Sequence, residues 1–176
     1  DVNYSGGIGM ANWDIMSGGG YAGHSGKGEA PCGYSAYERA FAGWLELKEI
    51  NSPTIVTELP PIDEEPMAYV LYNEGNRDEF FILENRQSQG WFTYVDRTDG
   101  CHGMLVTHVD YSTSAWERNA LNTNPSHQRL SFVPAGGEYG DKVKVGSTYR
   151  WNFKDDHYLS HLFPGKKKVT VFDNAS

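Results

Sequence analysis

A chain of 176 residues, 39% hydrophobic and 14% aromatic, is long enough and apolar enough to bury a full core, which excludes a disordered protein. Lys and Arg number 15 against 23 Asp and Glu, a net charge of −8; the basic stripe that phosphate backbones require is missing, so nucleic acid is excluded as a partner. No apolar run approaches the roughly 20 residues that cross a bilayer, so no membrane contact through a helical span is expected.

In chain order, residues 1–30 are rich in glycine, including Gly6, Gly7, Gly9, Gly18, Gly19, Gly20, Gly23, Gly26 and Gly28. Flexible linkers seldom carry residues such as Trp13, Ile15, Met16 and Tyr21, so a coiled loop packed on a core is expected. Ser35 to Ala42 predicts one short helix. Ser35-Ala36-Tyr37-Glu38 fits a capping box, Tyr37, Phe41 and Trp44 recur on one face, and Gly43 supplies a stop. Pro53, Pro60, Pro61 and Pro66 mark a break, with Thr54 to Thr57 between them as a short strand. A domain boundary is placed near residue 50, dividing residues 1–50 from a β-rich unit over 51–176.

Beyond it the pattern is β. Ala68 to Tyr72 and Glu79 to Glu84 predict a hairpin about Glu74-Gly75-Asn76. Further strands are expected at Trp91 to Tyr94, Met104 to Asp110, Arg129 to Val133 and Lys168 to Phe172. A turn is expected at Asp96 to Gly100 and a long polar loop over 111–127. The fold class is therefore mainly β: an antiparallel, sandwich-like sheet domain preceded by a Gly-rich loop and one short helix. Asp1-Val2-Asn3 has neither an initiating Met nor a signal pattern, and the last predicted strand ends at the chain's end. A piece of a longer protein is the expectation.

Several residues invite chemistry. Cys32 and Cys101 allow one disulfide or two free thiols. His108 and Asp110 share a strand face with His102, Met104 and Val106, which admits a His–Asp bond, a metal contact or a half-buried histidine. His157 and His161 stand at i and i+4, a zinc-ligand spacing, but Tyr158 occupies the place of the glutamate and no third ligand is evident. Asp96, Asp99, Asp141, Asp155 and Asp156 are the oxygen ligands calcium prefers, without EF-hand spacing, so calcium is admitted with no ligand set. Lys166-Lys167-Lys168 reads as a solvated edge. Gly23-His24-Ser25-Gly26-Lys27 is neither a nucleophile elbow nor, with Gly28, a P-loop.

The segment Asn12-Trp13-Asp14-Ile15-Met16-Ser17-Gly18-Gly19-Gly20-Tyr21 resembles the methionine turn of secreted zinc metallopeptidases of the immune-inhibitor-A type. Similarity continues through Ser35-Ala36-Tyr37-Glu38, Gly43-Trp44-Leu45, Glu84-Asn85-Arg86-Gln87, Gly103 to Asp110 and Phe163-Pro164-Gly165, spanning residues 8 to 173. The resemblance implies a secreted or periplasmic enzyme that hydrolyses protein or peptide substrates. It gives Met16 the role of an apolar floor beneath zinc-binding imidazoles, and places Tyr21 near the substrate cleft or in the packing of the glycine loop. It also exposes a departure. No His-Glu dipeptide occurs in the chain, so the His-Glu-x-x-His helix that carries zinc and the catalytic glutamate is not here. Residues 1–50 then read as the end of a catalytic domain. Zinc belongs to the parent enzyme, no catalytic residue is assigned, and this chain alone is expected to be inactive. Trp13, Met16, Phe41 and Trp44 would pack against the other half, leaving an apolar N-terminal face open to association. The alternatives are a scaffold without catalysis, and a non-catalytic binding module presenting Trp91, Trp116, Trp151 and tyrosines to glycans or peptides.

Overall fold

The computed structural model describes residues 7–95 and 101–173. Most of its regular structure is strand. A five-stranded sheet has the order β1 (Glu46–Glu49), β2 (Met67–Asn73), β3 (Asn76–Arg86), β4 (Gly103–Asp110) and β5 (Leu130–Val133). A separate two-stranded sheet joins β6 (Asp141–Val145) to β7 (Thr148–Asn152). Three short helices accompany them: α1 (Ala36–Phe41), α2 (Thr113–Glu117) and α3 (Asp155–His161).

Side-chain alternation divides the large sheet into two faces. Ala68 and Val70 of β2, Ile82 of β3, Leu105 and Val109 of β4, and Leu130 and Phe132 of β5 point to one face. Against that face lie Ile8, Met10, Trp13, Cys32, Ala36, Phe92, Tyr158 and Leu162. The glycine-rich segment is thus a layer of the core, and this cluster takes residues from both sides of residue 50. Leu83, Val106, Tyr69, Leu71, Phe81 and Val133 point to the other face, where Phe163, Val169 and Phe172 cover them.

The expected hairpin forms, with Val70 opposite Ile82 and Leu71 opposite Phe81. Four other expectations are corrected. The sheet is mixed, not wholly antiparallel: β1 runs parallel to β2, with Glu46 opposite Met67. Parallel neighbours need a crossover, and the proline-rich stretch between residues 50 and 66 is that crossover; Thr54 to Thr57 within it is not a strand. Gly90–Phe92 is a turn of 3-10 helix instead of a strand, placing Phe92 in the core. Lys168 to Phe172 is irregular, and covers the second sheet face through Val169 and Phe172 without pairing as a strand. The expected turn at Asp96 to Gly100 lies outside the described residues.

One buried histidine ties the layers together. His161 of α3 accepts a hydrogen bond from Trp13 Nε1 at Nδ1 (3.1 Å) and donates from Nε2 to the Tyr139 carbonyl (2.6 Å). Burial pushes its pKa down to about 4, so the ring is neutral and its tautomer is set by those two bonds. Among the described residues no helix is long and apolar enough to cross a membrane.

Candidate functional site: the methionine loop and the buried carboxylates beneath it

The chain from Met10 to Ala22 is built by its own backbone. The Trp13 N–H donates to the Met10 carbonyl (2.9 Å), and the Ser17 and Gly19 N–H groups both donate to the Asp14 carbonyl (3.0 and 3.1 Å). The Cys32 N–H donates to the Gly19 carbonyl (3.0 Å), which pins the loop to the following strand of chain. Asp14 Oδ1 accepts the Met16 N–H at 2.7 Å.

Gly18 and Gly19 are required by close approach. A Cβ on Gly18 would stand 2.6 Å from Asn12 Oδ1 and 2.9 Å from the Ala11 carbonyl. One on Gly19 would stand 2.2 Å from Cys32 Sγ and 2.6 Å from the Asp14 carbonyl. Neither glycine has a positive φ, so the need is for space, not for a left-handed backbone. The result is a tightly held loop that presents Met16, 61% exposed, and Tyr21, 71% exposed, to the outside. Farther along, Glu29 accepts the N–H and hydroxyl of Ser25, and those bonds pull its carboxyl down to about 2.

Beneath the loop lies a network that the sequence did not announce. Glu84 and Arg86 of β3 are fully buried and paired: Arg86 Nε and Nη2 donate to Glu84 Oε1 at 2.8 and 2.6 Å. The second Glu84 oxygen accepts the first N–H of α1, that of Ala36, at 2.6 Å. Burial pushes Glu84 up while Arg86 pulls it back. The Arg86 guanidinium also lies 3.8 Å from the centre of the Phe92 ring. This corrects the expected capping box: Ser35 makes no side-chain bond to the helix backbone and instead donates to the Glu38 carboxyl. The helix amide is satisfied from the sheet. Glu38 in turn faces Asp14, which is buried.

Segments far apart in sequence therefore meet here. Trp13 to Gly19, Ser35 to Glu38 and Glu84 to Arg86 share one network, and Trp13 carries it on to His161, two residues before Phe163.

Outside this cluster, Phe41 and Trp44 are 79% and 62% exposed. They do not continue Tyr37 into the core, as their spacing suggested. Trp44 stacks edge-on against exposed Tyr34, ring centres 5.9 Å apart.

The other candidates separate. His108 and Asp110 do not bond each other. His108 Nε2 meets Glu79 Oε1 at 3.0 Å, with its ring against Phe81. Asp110 Oδ2 accepts from His127 Nε2 and Arg129 Nη1, each at 2.7 Å. His127 and Arg129 were missed because they lie at the end of the long polar stretch and just after it, where no periodicity points back to β4.

His157 Nδ1 accepts the Lys154 N–H at 3.0 Å and so closes the first turn of α3. His161 spends both ring nitrogens in the core, leaving no lone pair for a metal. Asp141 and Asp156 are each paired with a lysine, Lys154 and Lys166, while Asp96 and Asp99 lie outside the described residues. Among the described residues no three His, Cys, Asp or Glu side chains gather in a way that would hold a metal ion.

Cys32 and Cys101 are both buried, and no disulfide joins them. Burial pushes the Cys32 thiol up to about 12, which makes it a poor nucleophile. Of the aromatic residues considered as a platform, Trp116 packs at 64° to Tyr37 and Trp151 at 64° to Tyr139, while Trp91 is exposed. A surface groove of about 390 Å³ runs between residues 54–60 and the β1–β2 edge, lined by Lys48, Ile55, Met67 and Tyr69 among others.

In comparisons with known proteins, no family model matches this chain, and no curated protein or solved structure is significantly similar to it.

Proposed function

We propose that this chain supplies the methionine turn and the following β-rich part of a secreted zinc-dependent endopeptidase, whose zinc-bearing helix lies outside these residues. The observation that carries the reading is Met16. A methionine that merely fills a core would be buried. Here the main chain, a buried aspartate and two obligatory glycines hold the loop in place, and the apolar tip is left 61% exposed. A rigid loop with an outward methionine is suited to lie under a metal site contributed by another segment. Exposed Phe41 and Trp44 extend the apolar surface that such a segment would cover.

The reaction class follows from the resemblance, and the residues described here take no chemical step in it. The role of this chain is positional. Its own prediction is the absence of peptidase activity: purified alone, it should not cleave casein with or without added zinc. Chelator-sensitive cleavage by the pure chain would overturn the assignment of roles. The parent is tested by reading the coding sequence upstream of Asp1 in the same frame. His-Glu-x-x-His there, and zinc-dependent proteolysis by the longer product, are the expected results. No such motif upstream would end the peptidase reading and leave a non-catalytic β-rich module.

A further inference from the structure

Two carboxyl groups, Asp14 of the methionine loop and Glu38 of α1, lie within interaction distance of each other. Asp14 is buried; its Oδ1 holds the Met16 N–H, and its Oδ2 meets no N–H or hydroxyl donor among the described residues. Neither neighbouring arginine is hydrogen-bonded to this pair, although Arg86 Nη1 meets no acceptor of its own. Arg86 of β3 is bound to Glu84 through Nε and Nη2. Arg39 of α1 donates to Asp63 and to the carbonyls of Tyr34 and Ile62. Of the other titratable groups that feel this pair, burial pushes both the Cys32 thiol and the Tyr37 hydroxyl to about 12, so both are neutral at physiological pH. The Ser35 hydroxyl donates to Glu38 and brings no charge. Two ionised carboxylates in such a place would repel in a medium that screens poorly, whereas one carboxyl and one carboxylate make a strong hydrogen bond.

We propose that Asp14 and Glu38 hold a single proton between them, Glu38 donating to Asp14 Oδ2, and that this proton is the latch fastening the Met16 loop to α1. It accounts for the oxygen on Asp14 that otherwise has no donor, and it places the loop under the control of one ionisation. Burial first, and Asp14 second, push Glu38 up to about 9. A carboxyl raised in this way keeps its proton at neutral pH, and the latch is closed there; the latch opens as pH rises through about 9. The inference is independent of the peptidase reading, because it concerns only how this chain holds its own loop.

The test is a pH titration of the whole chain by NMR, with 13C at the Glu side-chain carboxyl and the Met methyl. Glu38 should titrate near 9, against roughly 4.3 for an ordinary glutamate. The Met16 methyl should shift with the same midpoint, while that of Met67 in β2 stays still. Glu38→Gln keeps the donor and removes the ionisation, so the Met16 shift should vanish. Asp14→Asn offers an amide to Glu38 and should bring its midpoint down by roughly 2 pH units or more. An ordinary titration of Glu38 in the unaltered chain overturns the proposal. So does an alkaline Glu38 titration that the Met16 methyl ignores. Both readings come from the unaltered chain and stand even where a variant fails to fold.

Discussion

Gly19→Ala is the sharpest perturbation of the loop. The backbone at Gly19 is not left-handed, so alanine meets no conformational penalty there, and the whole effect is steric. Its Cβ would fall 2.2 Å from Cys32 Sγ, 2.6 Å from the Asp14 carbonyl oxygen and 2.7 Å from the Asn12 carbonyl oxygen. Contacts of this kind need to open by more than half an ångström. Two of the three obstacles are main chain, and one of them, the Asp14 carbonyl, already accepts from Ser17 and Gly19. Overpacking a tight site costs about 1–3 kcal/mol, and the upper end of that range, roughly 3 kcal/mol, is expected here. Urea unfolding followed by tryptophan fluorescence measures it, since buried Trp13 sits in the same loop. Gly19→Ala combined with Cys32→Ala removes only the sulfur contact, so the pair should regain roughly 1 kcal/mol, not the whole loss. Gly75→Ala is the control: its nearest neighbour would be Asn73 Oδ1 at 3.5 Å, and a change within about 0.5 kcal/mol is expected. A Gly19→Ala chain as stable as the parent would refute the claim that close packing dictates this glycine.

Two further outcomes follow from the buried groups. Glu84→Ala leaves the Arg86 charge in the core without its partner and should cost about 3–5 kcal/mol; Glu84→Leu with Arg86→Met removes both charges and should cost less, the remaining loss being the unpaired Ala36 amide, about 1–3 kcal/mol, as read by urea midpoints. His161 has a folded pKa depressed from 6.5 to about 4. The unfolded chain therefore binds the extra proton between those values, and stability that is complete above 6.5 is lost as pH falls towards 4. The loss is on the order of 3 kcal/mol at about 1.4 kcal/mol per pH unit. The stability gap between the parent and His161→Gln, measured by thermal melts from pH 7 to pH 4, should shrink accordingly; a constant gap would mean that the imidazole is not a buried neutral ring.

The central strands were legible because each buries alternate residues on two different faces, which writes a strong β-rich run into the sequence. The flanking elements carried weaker signals. In β1, Glu-Leu-Lys-Glu has one apolar residue, and its place is fixed by backbone pairing to β2. β6 does alternate, Asp-Lys-Val-Lys-Val, and a two-residue turn at Gly146 and Ser147 returns it as β7, but both of its faces are largely exposed and its charges hide the pattern. Helix α3 was hidden by a different conflict: its Asp155-Asp156 opening and twin histidines draw attention as metal ligands, while His161 in fact faces the core. Strand propensity misread Trp91 to Tyr94 because the aromatic that matters, Phe92, is buried by a helical turn. At the candidate site, Met16 and its glycines were legible as a motif. The carboxylates beneath were not, because nothing in the spacing of Asp14, Glu38 and Glu84 announces that three elements will bring them together.

That convergence couples residues from segments far apart in the chain, and several of them explain one another. Gly19 is small because Cys32 and the Asp14 carbonyl press on it. Ser35 donates to the Glu38 carboxyl, which in turn faces Asp14. Glu84 is buried because the first amide of α1 needs an acceptor, and Arg86 is buried because Glu84 needs a charge partner. Trp13 reaches the far layer through His161. Residues spaced across the chain are thus coupled through a loop that presents Met16 and Tyr21 to the outside. Buried charges of this kind contribute little net stability, so what the network secures is the position of the loop and of the exposed Met16 that it carries.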